Sequence, residues 1–410
     1  MSAWKVADKH TEIYMSDTAF RWNKIIIPAF GPSMLFGIAN GAILPVIALS
    51  AIELGASHAM SGLIAALVGL GSLAGNIPAA MITSRHGERR SLIGAAALSV
   101  VALALCLISR HPVLLALGVL LMGLATSVFY LARQTYLIEA VPVQMRARAF
   151  STLGGTQRIG MFIGPFAAAA VMHVTGLAGA YYVAIAALAA AGALSFILPE
   201  LQARADTGSA AAAKPRMASI ASAHKRVLLT QGVGILLVSA MRASRQVAIP
   251  LWADAIGLSP TMTAVVFGLV SSIDMLVFYP AGKVMDHYGR LWVALPCSLV
   301  LAASLFALPL TGALLSFSLV CILMGLGNGI GSGIVMTLGA DASPVVGRTQ
   351  FLGLWRLIAD IGTSAGPILL SGLTALISLG AGIATTGAFG LVAAIIFWRE
   401  LPHRTGTDRD

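Results

Sequence analysis

The chain has 410 residues and a formal net charge of +10, yet 58% of it is hydrophobic and only 10% is charged. Water-soluble domains carry about 25% charged residues, so this chain cannot cover a soluble surface. Its Lys and Arg residues are scattered over short loops, which excludes the concentrated basic face of a nucleic-acid binder.

In chain order, a polar segment of mixed charge, 1–24, comes first and has no cleavable signal pattern. Twelve apolar stretches follow, at roughly 25–48, 61–82, 92–109, 113–138, 150–172, 178–198, 227–251, 262–282, 291–310, 313–338, 350–376 and 380–398; each is near the ~20 residues that cross a bilayer as a helix. Lipid offers backbone groups no partners and no alternating barrel pattern is present, so helix is forced. The expectation is an all-α polytopic membrane protein with six-helix bundles at 25–198 and 227–398, joined by an Ala-rich, basic linker at 199–226 and ending in a tail at 399–410. The loops after the even spans carry Arg85, Arg89, Arg90, Arg146, Arg148, Lys283, Arg290 and Arg348, whereas the opposite loops carry only Arg110. Cationic loops stay cytoplasmic, which puts both termini inside. The Ala- and Leu-rich composition points to a bacterial inner membrane as the plasma membrane concerned.

A constant shift of 202 positions lays the second half over the first, without gaps: Pro78 on Pro280, Gly87 on Gly289, Glu139 on Asp341, Arg146 on Arg348 and Gly164-Pro165 on Gly366-Pro367. Internal repeats in a very apolar chain are the build of many secondary transporters, with substrate held between the repeats. No metal or nucleotide motif appears, Cys106, Cys297 and Cys321 read as apolar filler, and no nucleophile–base set marks an enzyme. No cofactor is therefore expected.

The loop after the eighth span reads Gly282-x3-Asp286-His287-x-Gly289-Arg290, and the loop after the second reads Ala80-x3-Ser84-Arg85-x-Gly87-Glu88-Arg89. Both resemble the G-x-x-x-D-R-x-G-R loop of the major facilitator superfamily, the first copy departing at Ala80, Ser84 and Glu88. Glu139-x6-Arg146 and Asp341-x6-Arg348 resemble that superfamily's acid-x6-Arg element. The resemblance implies two pseudo-symmetric six-helix bundles, and a cytoplasmic gate network of Arg85, Gly87, Glu88, Arg89, Glu139, Arg146, Gly282, Asp286, Gly289, Arg290, Asp341 and Arg348 that latches the outward-facing state; plain positive-inside anchoring is the alternative. Gly160-x3-Gly164-Pro165 in the fifth span resembles the antiporter motif of the drug:proton antiporter families, and Gly362-x3-Gly366-Pro367 is its repeat in the eleventh. Glycines four apart share a helix face and allow close packing, and proline bends a helix, so these six residues also read as simple packing and bending sites. Five glycines, Gly325 to Gly333 at alternate positions, make the tenth span soft and small-faced, which suits a gate or simply close packing.

Ionisable residues inside spans are costly and usually functional. Seven stand here: Arg133, Arg158, Arg242, Arg245, Asp274, Arg356 and Asp360. All lie on spans that line the cavity or the seam in the superfamily. Arg158 and Asp274 have similar depth on neighbouring spans, and Asp360 is the repeat counterpart of Arg158. Arginine cannot carry a coupling proton, whereas a carboxylate withdrawn from water can take one up. Asp274 and Asp360 are thus the proton-coupling candidates, or else members of static Arg–Asp bridges. Arg133, nearer the cytoplasmic end, is expected to snorkel or join the latch. Arg242 and Arg245 share a helix face and either contact an anionic group or pair with Glu53 and Asp254. With Arg158, Arg356, Asn40 and Trp355 they complete the substrate candidates. Arginines in excess of acids favour an anionic or zwitterionic substrate.

The expected function is proton-coupled export of a small amphiphilic compound by alternating access, in a monomer whose partners are substrate, protons and membrane lipids. An uptake permease for organic anions or a lipid flippase, and a non-transporting receptor, are the alternatives.

Overall fold

The computed structural model describes residues 22–141, 145–198 and 217–402. Twelve helices are long and apolar enough to cross a membrane. They are α1 (Trp22–Glu53), α2 (His58–His86), α3 (Glu88–Leu107), α4 (Pro112–Ala140), α5 (Arg146–Thr175), α6 (Ala178–Ser195), α7 (Gln231–Ala255), α8 (Pro260–Tyr288), α9 (Leu291–Leu310), α10 (Leu314–Ala342), α11 (Arg348–Leu376) and α12 (Leu379–Glu400). No strand occurs among the described residues. Each of the twelve expected spans has its helix.

The ends of these helices follow local chemistry. Ser57 and Ser259, 202 positions apart, cap α2 and α8 by accepting from the backbone N–H of Met60 and Met262, which satisfies one of the free N–H groups of a first turn. Gly87 and Gly289 close the same helices with φ of 79° and 96°, a conformation that only glycine adopts without strain. The linker expected at 199–226 is helical in its last part: Met217–Ala223 is a short helix and Lys225–Leu229 leads into α7. The physical reason is burial. Ile220 is packed into the second-half core, and the His224 ring meets Phe351 edge-on at 5.6 Å. Residues 1–21, 199–216 and 403–410 lie outside the described residues.

Packing repeats with the sequence. In the first half α1 packs on α5, α2 on α4 and α3 on α6; in the second α7 packs on α11, α8 on α10 and α9 on α12. The contacts are made by matching glycines. A Cβ on Gly160 would strike the Met34 carbonyl, and one on Gly362 the Leu236 carbonyl, 202 residues later. Gly164 and Gly366 approach the carbonyls of Ile38 and Ala240 in the same way. Between the halves, α5 lies on α8, α2 on α11 and α1 on α7.

The loops after α2, α4, α8 and α10 share one face, the motif face. The halves are sealed at the opposite face. There His58 Nε2 meets Asp254 Oδ2 at 3.0 Å, Gly62 abuts Val247, Leu251 and Ser371, and Ala48 of α1 is buried in the second-half core. At the motif face no ion pair joins the halves among the described residues. Side-chain contacts between the halves thus seal the face opposite the motif loops.

Candidate functional site

A cavity of about 780 Å³ lies between α5 and the second-half helices α7, α8, α10 and α11. It reaches toward the motif face, where Gly154, Ala340 and Leu352 line it near the ends of their helices. Arg158, Arg242, Arg245, Asp274, Arg356 and Asp360 all line it. Six of the seven charges read from the spans are thus brought to one place.

Arg158 Nη1 donates to Asp274 Oδ1 at 3.3 Å, joining α5 of one half to α8 of the other. The other guanidinium arm donates to Ser332 Oγ, and the guanidinium lies over the Phe278 ring at 4.5 Å. Asp274 Oδ2 accepts from Asn328 Nδ2 at 2.9 Å. Both oxygens of the aspartate are therefore held, one by each half.

The tenth helix makes this arrangement possible. It is broken between Ile330 and Ile334, where Gly331, Ser332 and Gly333 form a turn. The Ser332 N–H bonds to the Gly329 carbonyl instead of reaching back one residue further. That leaves the Asn328 carbonyl free, and Arg242 Nη2 donates to it at 2.8 Å. Non-helical backbone at membrane depth is tolerated where it lines a cavity and finds side-chain partners. The softness expected of the glycine-rich span thus takes the form of a break at the polar centre of the cavity.

Arg245 is 7% exposed, and its Nε and Nη1 have no partner; Arg242 Nε also has none. Neither arginine pairs with Glu53 or Asp254, the pairing considered above, because Asp254 is bonded to His58 across the opposite face. Asp360 accepts from Arg356 Nε at 3.0 Å, one turn earlier on the same helix, and has no ion pair across a seam among the described residues. Trp355 lines the cavity, but its indole N–H is committed to the Val335 carbonyl at 2.7 Å, and its ring covers Gly339. Asn40 is buried in α1 and does not line the cavity.

Arg133 neither snorkels nor joins a latch. It is buried, donates to Gln157 Oε1 at 3.0 Å and lies over the Tyr130 ring at 4.9 Å, while Gln157 donates to the Tyr130 hydroxyl at 2.7 Å. Tyr130 in turn meets Phe36, which is stacked on Phe129 at 4.0 Å. The amide of Gln157 and the aromatic wall hold the guanidinium inside, so it has no need to reach the interface. Asn328, Gln157 and Ser332 escaped the sequence reading; the run Gly327-Asn328-Gly329, a lone amide among glycines, was the available signal.

Of the expected gate residues, the structure pairs Arg290 with Asp341, at 2.7 Å from Nε and 3.4 Å from Nη2. Asp341 pushes the Arg290 guanidinium above its usual pKa, chiefly through that hydrogen bond. This pair ties the loop between α8 and α9 to α10 within one half. Arg89 donates to the Phe196 carbonyl and Arg146 to the Val141 carbonyl at 3.2 Å, again within one half. Arg85, Glu88, Glu139, Asp286 and Arg348 take part in no ion pair among the described residues, and Gly282 has open space around it. Among the described residues these gate contacts stay within one half.

The family model "Major Facilitator Superfamily" matches residues 30–345 and 232–409. No curated protein sequence matches the chain. Similar solved structures include a POT family transporter in complex with a thioalcohol-conjugated peptide (10% identity, 90% of this chain and 94% of that one, TM-score 0.74) and a D-xylose-proton symporter (16% identity, 93% and 98%, TM-score 0.69). A third is a bacterial homolog of the human lysosomal transporter Spinster, in an inward-facing and unoccupied conformation (13% identity, 93% and 97%, TM-score 0.73). At such identities the likeness carries the fold alone. With the repeated loop motifs and the family match over nearly the whole described chain, the protein belongs to the Major Facilitator Superfamily.

Proposed function

We propose that the chain is a proton-coupled secondary transporter that exports a small amphiphilic organic compound, anionic or zwitterionic, by alternating access. The observation that carries this reading is the Arg158–Asp274 bridge, an ion pair spanning the two halves at the wall of the cavity. Protonation of Asp274 removes its charge and with it the attraction to Arg158. The seam then loosens, and the halves rock about the fixed site. With the motif face cytoplasmic by its Lys and Arg content, the arrangement described above is the inward-facing one, and the Arg290–Asp341 pair belongs to the gate that closes in the other state. Asp360, paired along its own helix, is the second proton candidate.

The outward direction rests on Gly160-x3-Gly164-Pro165 in α5. The arginines in excess of acids serve proton-coupled uptake of an organic anion equally well, which is the second reading. Everted membrane vesicles, energised to be acidic inside and offered an anionic and a cationic lipophilic dye, separate the two. Export predicts protonophore-sensitive accumulation of the anionic dye. Dye accumulation that ignores the protonophore would remove the proton from the mechanism, and gradient-driven loss of preloaded anion would reverse the direction.

A further inference from the structure

Four arginines and two aspartates line the cavity, and each aspartate is already engaged: Asp274 with Arg158, and Asp360 with Arg356. Arg242 and Arg245 make no ion pair among the described residues. Arginine stays protonated, and a buried cation without a partner is expensive. Arg242 is partly satisfied by the Asn328 carbonyl, but its Nε is not, and Arg245 makes no hydrogen bond to any described residue. The two stand three residues apart on α7, on one helix face. Both line the cavity from the same wall.

We propose that Arg242 and Arg245 form a seat for one compact, doubly charged oxyanion carried by the transported molecule, of the phosphate-monoester or phosphonate class. Two guanidinium groups on neighbouring turns match a single tetrahedral dianion, whose oxygens accept from several N–H groups at once. A lone carboxylate would neutralise only one of them. The apolar remainder of the molecule lies toward Phe267, Met275 and Met336, which line the same cavity. The inference rests on this cavity being the transport site and deepens that reading by naming the group the site recognises.

The test is equilibrium binding to the intact protein in lipid nanodiscs, without any gradient. The probes are phenyl phosphate, benzoate, benzyl alcohol and benzyltrimethylammonium at equal ionic strength. Phenyl phosphate is expected to bind about tenfold more tightly than benzoate, with the alcohol and the cation weaker still. Arg245→Gln and Arg242→Gln should each weaken phenyl phosphate by about tenfold. Competition by inorganic phosphate at similar concentration would mean that the seat takes the free ion; competition only at far higher concentration, that it takes the organic ester. Should Arg245→Gln fail to fold, Arg245→Lys keeps the charge and loses the planar fork, with the same weakening expected. Equal binding of benzyl alcohol, no binding of phenyl phosphate, or unchanged affinity in folded Arg242 and Arg245 variants would overturn the proposal. If phenyl phosphate binds as expected while proton-driven flux is absent, the seat stands and the coupling reading falls.

Discussion

The two halves of this molecule share a frame and differ in chemistry. Gly160 meets Met34 as Gly362 meets Leu236, Gly164 meets Ile38 as Gly366 meets Ala240, and Gly123 meets Val68 as Gly325 meets Val270, all at the offset of 202 residues. Yet Arg242, Arg245, Asp274 and the break in α10 have no counterparts in the first half, where the corresponding space is filled by Phe36, Phe129, Tyr130 and the Arg133–Gln157 pair. The second half pairs Arg290 with Asp341 at its rim, whereas Glu139 in the first half has no ion pair among the described residues. Close helix contacts tolerate no side chain and so survive duplication unchanged. A cavity wall tolerates any polar set whose members satisfy one another, and so it diverges. One half thereby comes to hold most of the site while the other supplies a single cross-seam cation, Arg158.

The comparison breaks most severely at the shared glycines. Gly164→Leu and Gly366→Leu should each prevent recovery of folded protein, or cost at least about 3 kcal/mol, because the new Cβ meets backbone that cannot swing aside. Size-exclusion profiles and unfolding midpoints in detergent check this, and similar losses in the two variants are expected from a symmetric frame. A large loss in only one would show that the frame is not shared.

The next effect belongs to the first half alone. Gln157→Leu removes the acceptor of a buried guanidinium and the donor to Tyr130. It should lower stability by about 1–3 kcal/mol, read as a fall in the unfolding midpoint. Arg133→Leu on top of Gln157→Leu should recover part of that loss, since it removes the stranded charge.

The smallest effect separates the rims. Arg290→Ala should cost about 0.2–1 kcal/mol, the range for exposed pairs, and Glu139→Ala, with no ion pair among the described residues, should cost nothing measurable. Since Asp341 raises the Arg290 pKa, its guanidinium stays protonated at every accessible pH.

Much of the frame could be read from the sequence because it depends on local and periodic features: apolar length, and glycines recurring at a fixed offset. Arg158 and Asp274 could be matched across the seam because similar depth on neighbouring helices leaves a buried pair few alternatives. Repeat symmetry makes Asp360 the counterpart of Arg158, but its partner is Arg356 one turn away, a four-residue spacing visible in the sequence. The position of Arg133 depends on a partner from α5 and a ring from α4, both set by helix rotation, which the sequence of either helix does not define. The His58–Asp254 contact, between a first residue and a helix end in opposite halves, had no local signal at all. The break in α10 could be expected from its glycines, but not its placement beside Arg242 and Arg158.

The central claim is that the Arg158–Asp274 bridge couples protons to movement of the halves. Its most direct test compares wild type with Asp274→Asn in proteoliposomes, measuring flux of a transported anion driven by an imposed proton gradient and, separately, substrate exchange at equal pH. The account predicts that Asp274→Asn loses gradient-driven flux and keeps exchange, because an asparagine leaves the seam permanently uncharged at that position while the arginines of the cavity remain. Gradient-driven flux that survives in both Asp274→Asn and Asp360→Asn would contradict it.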